Sequence, residues 1–275
     1  EKTGPGVLVT HSQGGAVGWD VPVENISAIV AQYGDYVVQS DVLELTAVDN
    51  TILETTKLLG RQAGLTMDTI VRNALLLGTN KSYAPKYVAD TNGNLVETEV
   101  TKTADLDTSA KLTVDVVQRV VAKLRAQNAP TIGGDYVCII HPYVAYDLMR
   151  DPEWIDAHKY ATPENLYTGE IGKMAGVRFV QSTEAKIDKG GSDNPSGLAV
   201  FHCLFIGDGA YGVTEVTGGG LQTIVKQKGS SGTADPLDQR SSVGWKGLKA
   251  AKILVDNYLV DLMCCSKFSA TATAN

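Results

Sequence analysis

Two stretches carry residue types and spacings that could do chemistry. Val7-Leu8-Val9-Thr10-His11-Ser12-Gln13-Gly14-Gly15 runs like a strand into a sharp, small-residue turn with a serine at its apex. That is the layout of the nucleophile elbow of an α/β-hydrolase, in which the turn lifts the hydroxyl out for attack on an ester. Thr10 stands where that motif usually has its first glycine. A working Ser12 needs an acid and a histidine after it, and only His141, His158 and His202 follow. None of the three sits in a late, loop-like context after a suitable Asp, and no strand precedes Ser12 to start a sheet. An extended glycine-rich arm with a chance serine is the plainer reading, and ester hydrolysis by Ser12 is the alternative.

The second stretch is Gly207-Asp208-Gly209-Ala210-Tyr211-Gly212, formally G-x-G-x-x-G, which follows the apolar run Leu198–Ile206. This fingerprint binds a dinucleotide only when a helix N-terminus follows to meet the pyrophosphate. Here 213–216 alternates like a strand, Gly218-Gly219-Gly220 turns, and 221–225 alternates again, which predicts a β-meander. Lys228–Pro236 is glycine-containing loop without the Gly-Lys-Ser/Thr of a phosphate loop. His141 ends the strand-like run Tyr136–Ile140 with no nucleophile or carboxylate at defined spacing, and reads as a structural histidine. Cys138, Cys203, Cys264 and Cys265 show neither disulfide nor zinc spacing and read as reduced core thiols, as in a reducing cytoplasm. No carboxylate pair, metal cluster or complete triad emerges, so no catalytic, cofactor-binding or metal-binding residue is assigned.

The elements that position these residues start from one long helical pattern, Asp41 to Gly78, that reads as a strut, bent or broken in two. Asp41 with Glu44 three residues on forms a capping box, and Leu45, Val48, Ile52, Leu59, Ala63, Met67, Ile70, Val71, Ala74 and Leu75 recur at helical spacing. Unbroken, it would span roughly 55 Å. Gly60 and Gly64 inside it suggest a bend or a close backbone approach, and Gly78 and Asn80 supply the stop. Before it, 25–40 is strand-like. After it, Asp90-Thr91-Asn92-Gly93-Asn94 is a hairpin turn between Tyr87-Val88 and Leu95-Val96. Thr113 caps a second helix running to Asn128, and short strands are expected at 136–140, 177–180 and 198–206. The last element is 243–268, whose end, 257–265, reads as strand as easily as helix, and Ser269–Asn275 reads as a tail.

At 275 residues, 43% hydrophobic and 20% charged, the chain has core material for one large domain or two ordinary ones. A net charge of −7 argues against sequence-specific nucleic-acid binding and against an anionic membrane surface. No apolar run approaches the ~20 residues of a membrane span. No signal peptide is visible, and a start at Glu1 leaves a processed or trimmed N-terminus open. Against the overall acidity, Lys226, Lys228, Arg240, Lys246, Lys249 and Lys252 face only Asp235 and Asp238, a local balance of +4. A solvated face or subunit contact is the common meaning of such a patch, and non-specific phosphate contact the functional one.

Several phrases in this order resemble the major capsid proteins of tailed bacteriophages, the Hong Kong 97-type fold, and within it the branch of podophages related to coliphage N-four. They are Gln32-Tyr33-Gly34-Asp35-Tyr36 with Ser40-Asp41-Val42-Leu43, Leu75-Leu76-Leu77-Gly78-Thr79-Asn80, and Ile139-Ile140-His141-Pro142 with Asp147-Leu148. Gly207–Gly212 and Asp235-Pro236-Leu237-Asp238-Gln239-Arg240 with Gly244-Trp245-Lys246 complete the set, over about residues 25–275. The resemblance implies an α+β shell subunit rather than an enzyme. Residues 1–40 would be the N-terminal arm and extended loop, 41–106 the peripheral domain with its spine helix, 107–206 the axial domain, and 207–275 the returning peripheral strands. It implies a homo-oligomer of hexamers and pentamers forming an icosahedral head around double-stranded DNA, with non-specific DNA contact, a portal and decoration proteins as partners, and no membrane or cofactor. The subunit would be made in the host cytoplasm and end in the virion. Some members of the fold crosslink through a Lys and an Asn, and no such pair is assigned here. An encapsulin-like compartment shares the fold and differs in cargo.

Overall fold

The computed structural model describes residues 26–46, 50–91, 93–159, 171–190, 194, 197–214, 218–230 and 235–275, with the side chains of 157–159 excepted. Strand β1 (Ala31–Ser40) leads directly into a short helix, α1 (Asp41–Thr46). The Ser40 hydroxyl, not Asp41, caps α1 by accepting from the Leu43 N–H, and Glu44 pairs outward with Lys228 at 2.7 Å, so the expected capping box does not form. Helix α2 (Thr51–Leu75) then starts afresh. Asn50, with extended backbone at φ −72° and ψ 93°, accepts from the Leu53 N–H and so begins a new helix. The long pattern is therefore two helices, and at about 37 Å α2 is shorter than the continuous strut expected. Gly60 and Gly64 mark no close approach, since a Cβ on either would meet nothing within 4 Å.

Strands β2 (Lys81–Tyr83), β3 (Lys86–Ala89) and β4 (Leu95–Thr98) follow. β3 and β4 form the expected hairpin, closed by Asp90 donating its N–H to the Asn94 carbonyl and by Gly93 at φ 79°. Helix α3 (Val114–Ala126) is capped by Thr113 and buries Val116, Val117, Val120, Val121 and Leu124. Next come β5 (Tyr136–Ile140), α4 (Pro142–Met149), α5 (Pro152–Lys159), β6 (Lys173–Met174), β7 (Val177–Gln181), β8 (Ile187–Lys189) and β9 (Ala199–Ile206). All eight residues of β9 are buried, which fits its unbroken apolar pattern.

Residues 240–264 are mainly strand, most of the open end at 257–265 included: β12 (Arg240–Lys249), β13 (Ala251–Ile253) and β14 (Leu259–Cys264), preceded by β10 (Tyr211–Val213) and β11 (Gln222–Lys226). The meander expected from 213 to 225 does not form. β10 pairs with β13, whereas β11 pairs with β12 in another sheet. The pairing partners lie later in the chain, so local alternation could not reveal them.

Two sheets organise the molecule. In the larger, β9 lies between β14 and β5, β7 runs parallel to β5 and carries β6, β2 closes the other edge parallel to β14, and β8 pairs with β9. Helices α3 and α4 pack on it, and its core includes Leu112, Leu124, Tyr136, Leu148, Phe201 and Phe205. The smaller sheet has the order β1-β12-β11, with β1 and β12 paired over ten residues. Helix α2 joins the two. Leu59 and Ala63 pack with Val243 and Trp245 of the small sheet, while Leu75 packs with Leu204, Ile206 and Leu259 of the large one.

Candidate interaction surface

Ser12 and its elbow lie outside the described residues, as does the end of the first alternating run, 215–216. His141 is the N-cap of α4, its Nδ1 accepting from the Tyr143 N–H at 3.2 Å, and burial holds its pKa below the ordinary value. It is a satisfied structural histidine. His158 falls within α5, with its side chain outside the described set. Gly212 lies within β10, and among the described residues from there to β11 no helix begins, so the glycine fingerprint has no N-terminus to offer a phosphate. All four cysteines are free and buried, with the Cys203 and Cys264 sulfurs 3.7 Å apart.

His202 sits in a network that its sequence context concealed. Its Nδ1–H lies 2.9 Å from Asp261 and its Nε2–H 2.9 Å from Asp188, tying β9 to β14 and β8. Burial alone would pull the imidazole down. The hydrogen bonds and charges of Asp188 and Asp261 outweigh it and push the pKa to about 9. At neutral pH the ring is a cation with both nitrogens donating, so it cannot serve as a general base. The available signal was one ionisable residue in each of two otherwise apolar strands, AVFHCLFI and LVDLMC, which burial obliges to pair. Among the described residues no group of three or more His, Cys, Asp or Glu is placed to hold a metal ion.

The surface features with functional potential lie instead on the small sheet and its tip. Ser241, Val243, Trp245 and Gly247 of β12 are buried on the α2 side. The alternation therefore turns Arg240, Ser242, Gly244, Lys246 and Leu248 the other way. Cross-strand register puts Gln32, Gly34, Tyr36, Val38 and Ser40 of β1 on that outward face, and Gln222, Ile224 and Lys226 of β11 with them. Three of these positions are cationic and none is acidic. The acid of β1, Asp35, is opposite Trp245 on the α2 side, where its carboxylate accepts from Gln62 and has its pKa lowered by that bond. Between the cations lies an apolar stripe in which Tyr36 is 71% and Val38 50% exposed. Gly244 makes room for its partner, since a Cβ there would stand 2.9 Å from that of Tyr36.

The tip is less covered still. None of the residues of α1 is buried, and Val42, Leu43 and Leu45 are exposed, as are Leu53 and Leu237. A six-residue helix without a buried face is far below the length at which helices persist alone. Such a tip fits a place where a neighbouring surface supplies the missing burial.

No curated protein matches the chain in sequence. The phage capsid protein family matches residues 24–259. Among solved structures, the head of Helicobacter pylori bacteriophage KHP40 superposes with a TM-score of 0.61 at 14% identity, covering 86% of this chain and 76% of that one. The capsid of cyanophage P-SCSP1u gives 0.60 at 13%, covering 94% and 81%. The SrpI encapsulin of Synechococcus elongatus PCC 7942 gives 0.50 at 12%, covering 90% and 78%.

Proposed function

The chain belongs to the phage capsid protein family, and from that premise we propose how its parts serve the shell. It is a structural, non-enzymatic major capsid protein that self-assembles into the icosahedral phage head, and it has the Hong Kong 97-type fold. The proposal concerns the division of labour. Residues 1–40 act as N-terminal arm and extended loop, 41–106 with 207–275 as the peripheral domain around α2, and 107–206 as the axial domain around the capsomer centre. The observation that carries it is the contrast in burial: the large sheet buries β9 and β14 along their whole length, while the β1-β12-β11 sheet and α1 expose apolar side chains suited to neighbours.

On this reading the subunits form hexamers and pentamers, enclose double-stranded DNA with non-specific contact, meet a portal and decoration proteins, and are made in the host cytoplasm. Each contact can be modest, because a closed shell multiplies many weak contacts. The phrases Gln32–Tyr36 and Asp235–Arg240 support placement in the branch of podophages related to coliphage N-four. An encapsulin-like compartment is the second reading, favoured only by the lower likeness to the SrpI shell.

Negative-stain electron microscopy with size-exclusion chromatography of the purified chain tests the scheme. Capsomer rings or closed particles, with DNA retained after packaging, are expected. A monomer at every salt condition overturns it, and particles that recruit an enzyme instead of DNA favour the compartment.

A further inference from the structure

Two features of the chain are incomplete by itself, and they are complementary. One is the outward face of the small sheet, with Lys226, Arg240 and Lys246 around Tyr36, Val38 and Ile224. The other is the β3–β4 hairpin, a two-stranded sheet of four residues per strand. Isolated hairpins of this size are marginal in water. Every residue of β4 is exposed, and its Val96 forms an exposed cross-strand pair with Val88. From Lys86 to Thr101 the hairpin and its return carry Asp90, Glu97 and Glu99 against one base, Lys86, whose ammonium donates to the Asp105 carbonyl. Glu97 is held by Arg119 at 2.5 Å, which leaves Asp90 at the turn and Glu99 at the base as exposed acids.

We infer that the β3–β4 hairpin of one subunit docks on the outward face of the β1-β12-β11 sheet of a second copy. The inference rests on the shell reading and names a contact within it. The two surfaces are different patches, so the contact is heterologous and propagates from subunit to subunit until a ring or shell closes. Charge favours a second copy as occupant. The stretch containing the sheet's cations contributes +4 to a chain whose net charge is −7, which leaves −11 on the rest of every copy. The apolar stripe separates this partner from packaged DNA, whose phosphates gain nothing from Tyr36, Val38 and Ile224. Like-charged alternatives are disfavoured on both sides, so the pairing fixes register as well as contributing affinity.

A charge exchange in the full-length chain tests it. Lys226→Glu with Lys246→Glu on the sheet, or Asp90→Lys with Glu99→Lys on the hairpin, should each lower particle yield roughly tenfold at low salt. Both sets together should restore yield to near that of the parent chain. Thermal melts of the unassembled variants report folding, and yield is compared only among variants whose melts match the parent's. Failure of the combined variant to recover, while each single set is folded and defective, overturns the inference. So does normal assembly of the sheet variant with loss of bound duplex DNA, which would make the face a phosphate surface. If the parent chain forms no particles, the shell reading itself has failed, and that outcome is distinct from both.

Discussion

The two sheets solve the problem of burial in opposite ways. In the large sheet β9 and β14 are buried along their whole length, and helices cover it with Val116, Val120, Leu124, Val144 and Leu148. In the small sheet one face is packed by α2 through Leu59, Ala63, Val243 and Trp245, and the other presents Tyr36, Val38, Arg240 and Lys246 to solvent. The first region is a finished domain core. The second has one face packed and the other open to solvent.

The sharpest way to break this comparison is to truncate one aromatic in each region. Phe205→Ala, in the closed core, should destabilise the unassembled chain by about 3–5 kcal/mol, read by denaturant melts. Tyr36→Ala should change the same melt by no more than about 1 kcal/mol while depressing particle yield. Equal losses of stability at both positions would show that the small sheet's outward face is already part of a core.

A smaller but distinctive effect comes from the buried charges. His202 is raised from 6.5 unfolded to about 9 folded by Asp188 and Asp261, with Lys186 3.6 Å from Asp188 as the other charge nearby. A group raised on folding stabilises fully below its unfolded pKa, so this contribution is complete below pH 6.5 and fades as pH climbs through about 9. It is on the order of 3 kcal/mol. Stability of the unassembled chain should therefore fall between pH 7 and 9.5, and Asp261→Asn, which leaves the imidazolium short of a partner, should flatten that fall. A slope unchanged in Asp261→Asn would count against the network as drawn.

The smallest effect has the opposite sign. Gly60→Ala and Gly64→Ala meet open space in a continuous helix and should each stabilise the unassembled chain by roughly 0.5–1 kcal/mol. A loss of particle yield in the same variants would mean that the glycines keep α2 slim for a neighbour. No loss would confine their meaning to the single chain.

Much of this fold could be read from local pattern. The α3 stripe, the Thr113 cap, the Asp90–Asn94 turn and the apolar β9 all follow from rules that act within a few residues. What escaped were features set by distant partners. β10 alternates toward β11 yet pairs with β13 forty residues on, and Glu44 has a helix-capping position yet reaches Lys228. The helix breaks at Asn50, which favours a cap but tolerates a helix interior, and not at Gly60 or Gly64, where the bend was expected. The interaction surface was half visible. The excess of Lys and Arg between 226 and 252 stood out, but its confinement to one face depends on the β12 register against β1 and β11. The His202 pair demanded a contact between strands almost sixty residues apart.

The order of strands has a consequence for timing. β12 is the middle strand of the small sheet and β14 lies between β2 and β9 in the large one, and both belong to the stretch from 240 to 264. While the ribosome is still making that stretch, β1 has no pairing partner and β9 pairs only with β5 and β8, so neither sheet can be completed. A nascent chain that stops early offers unpaired edges to chaperones and proteases, but not the finished outward face that a growing head would accept. Synthesis through residue 264 thus becomes the licence for assembly, and a shell built from such subunits excludes fragments that stop short of it.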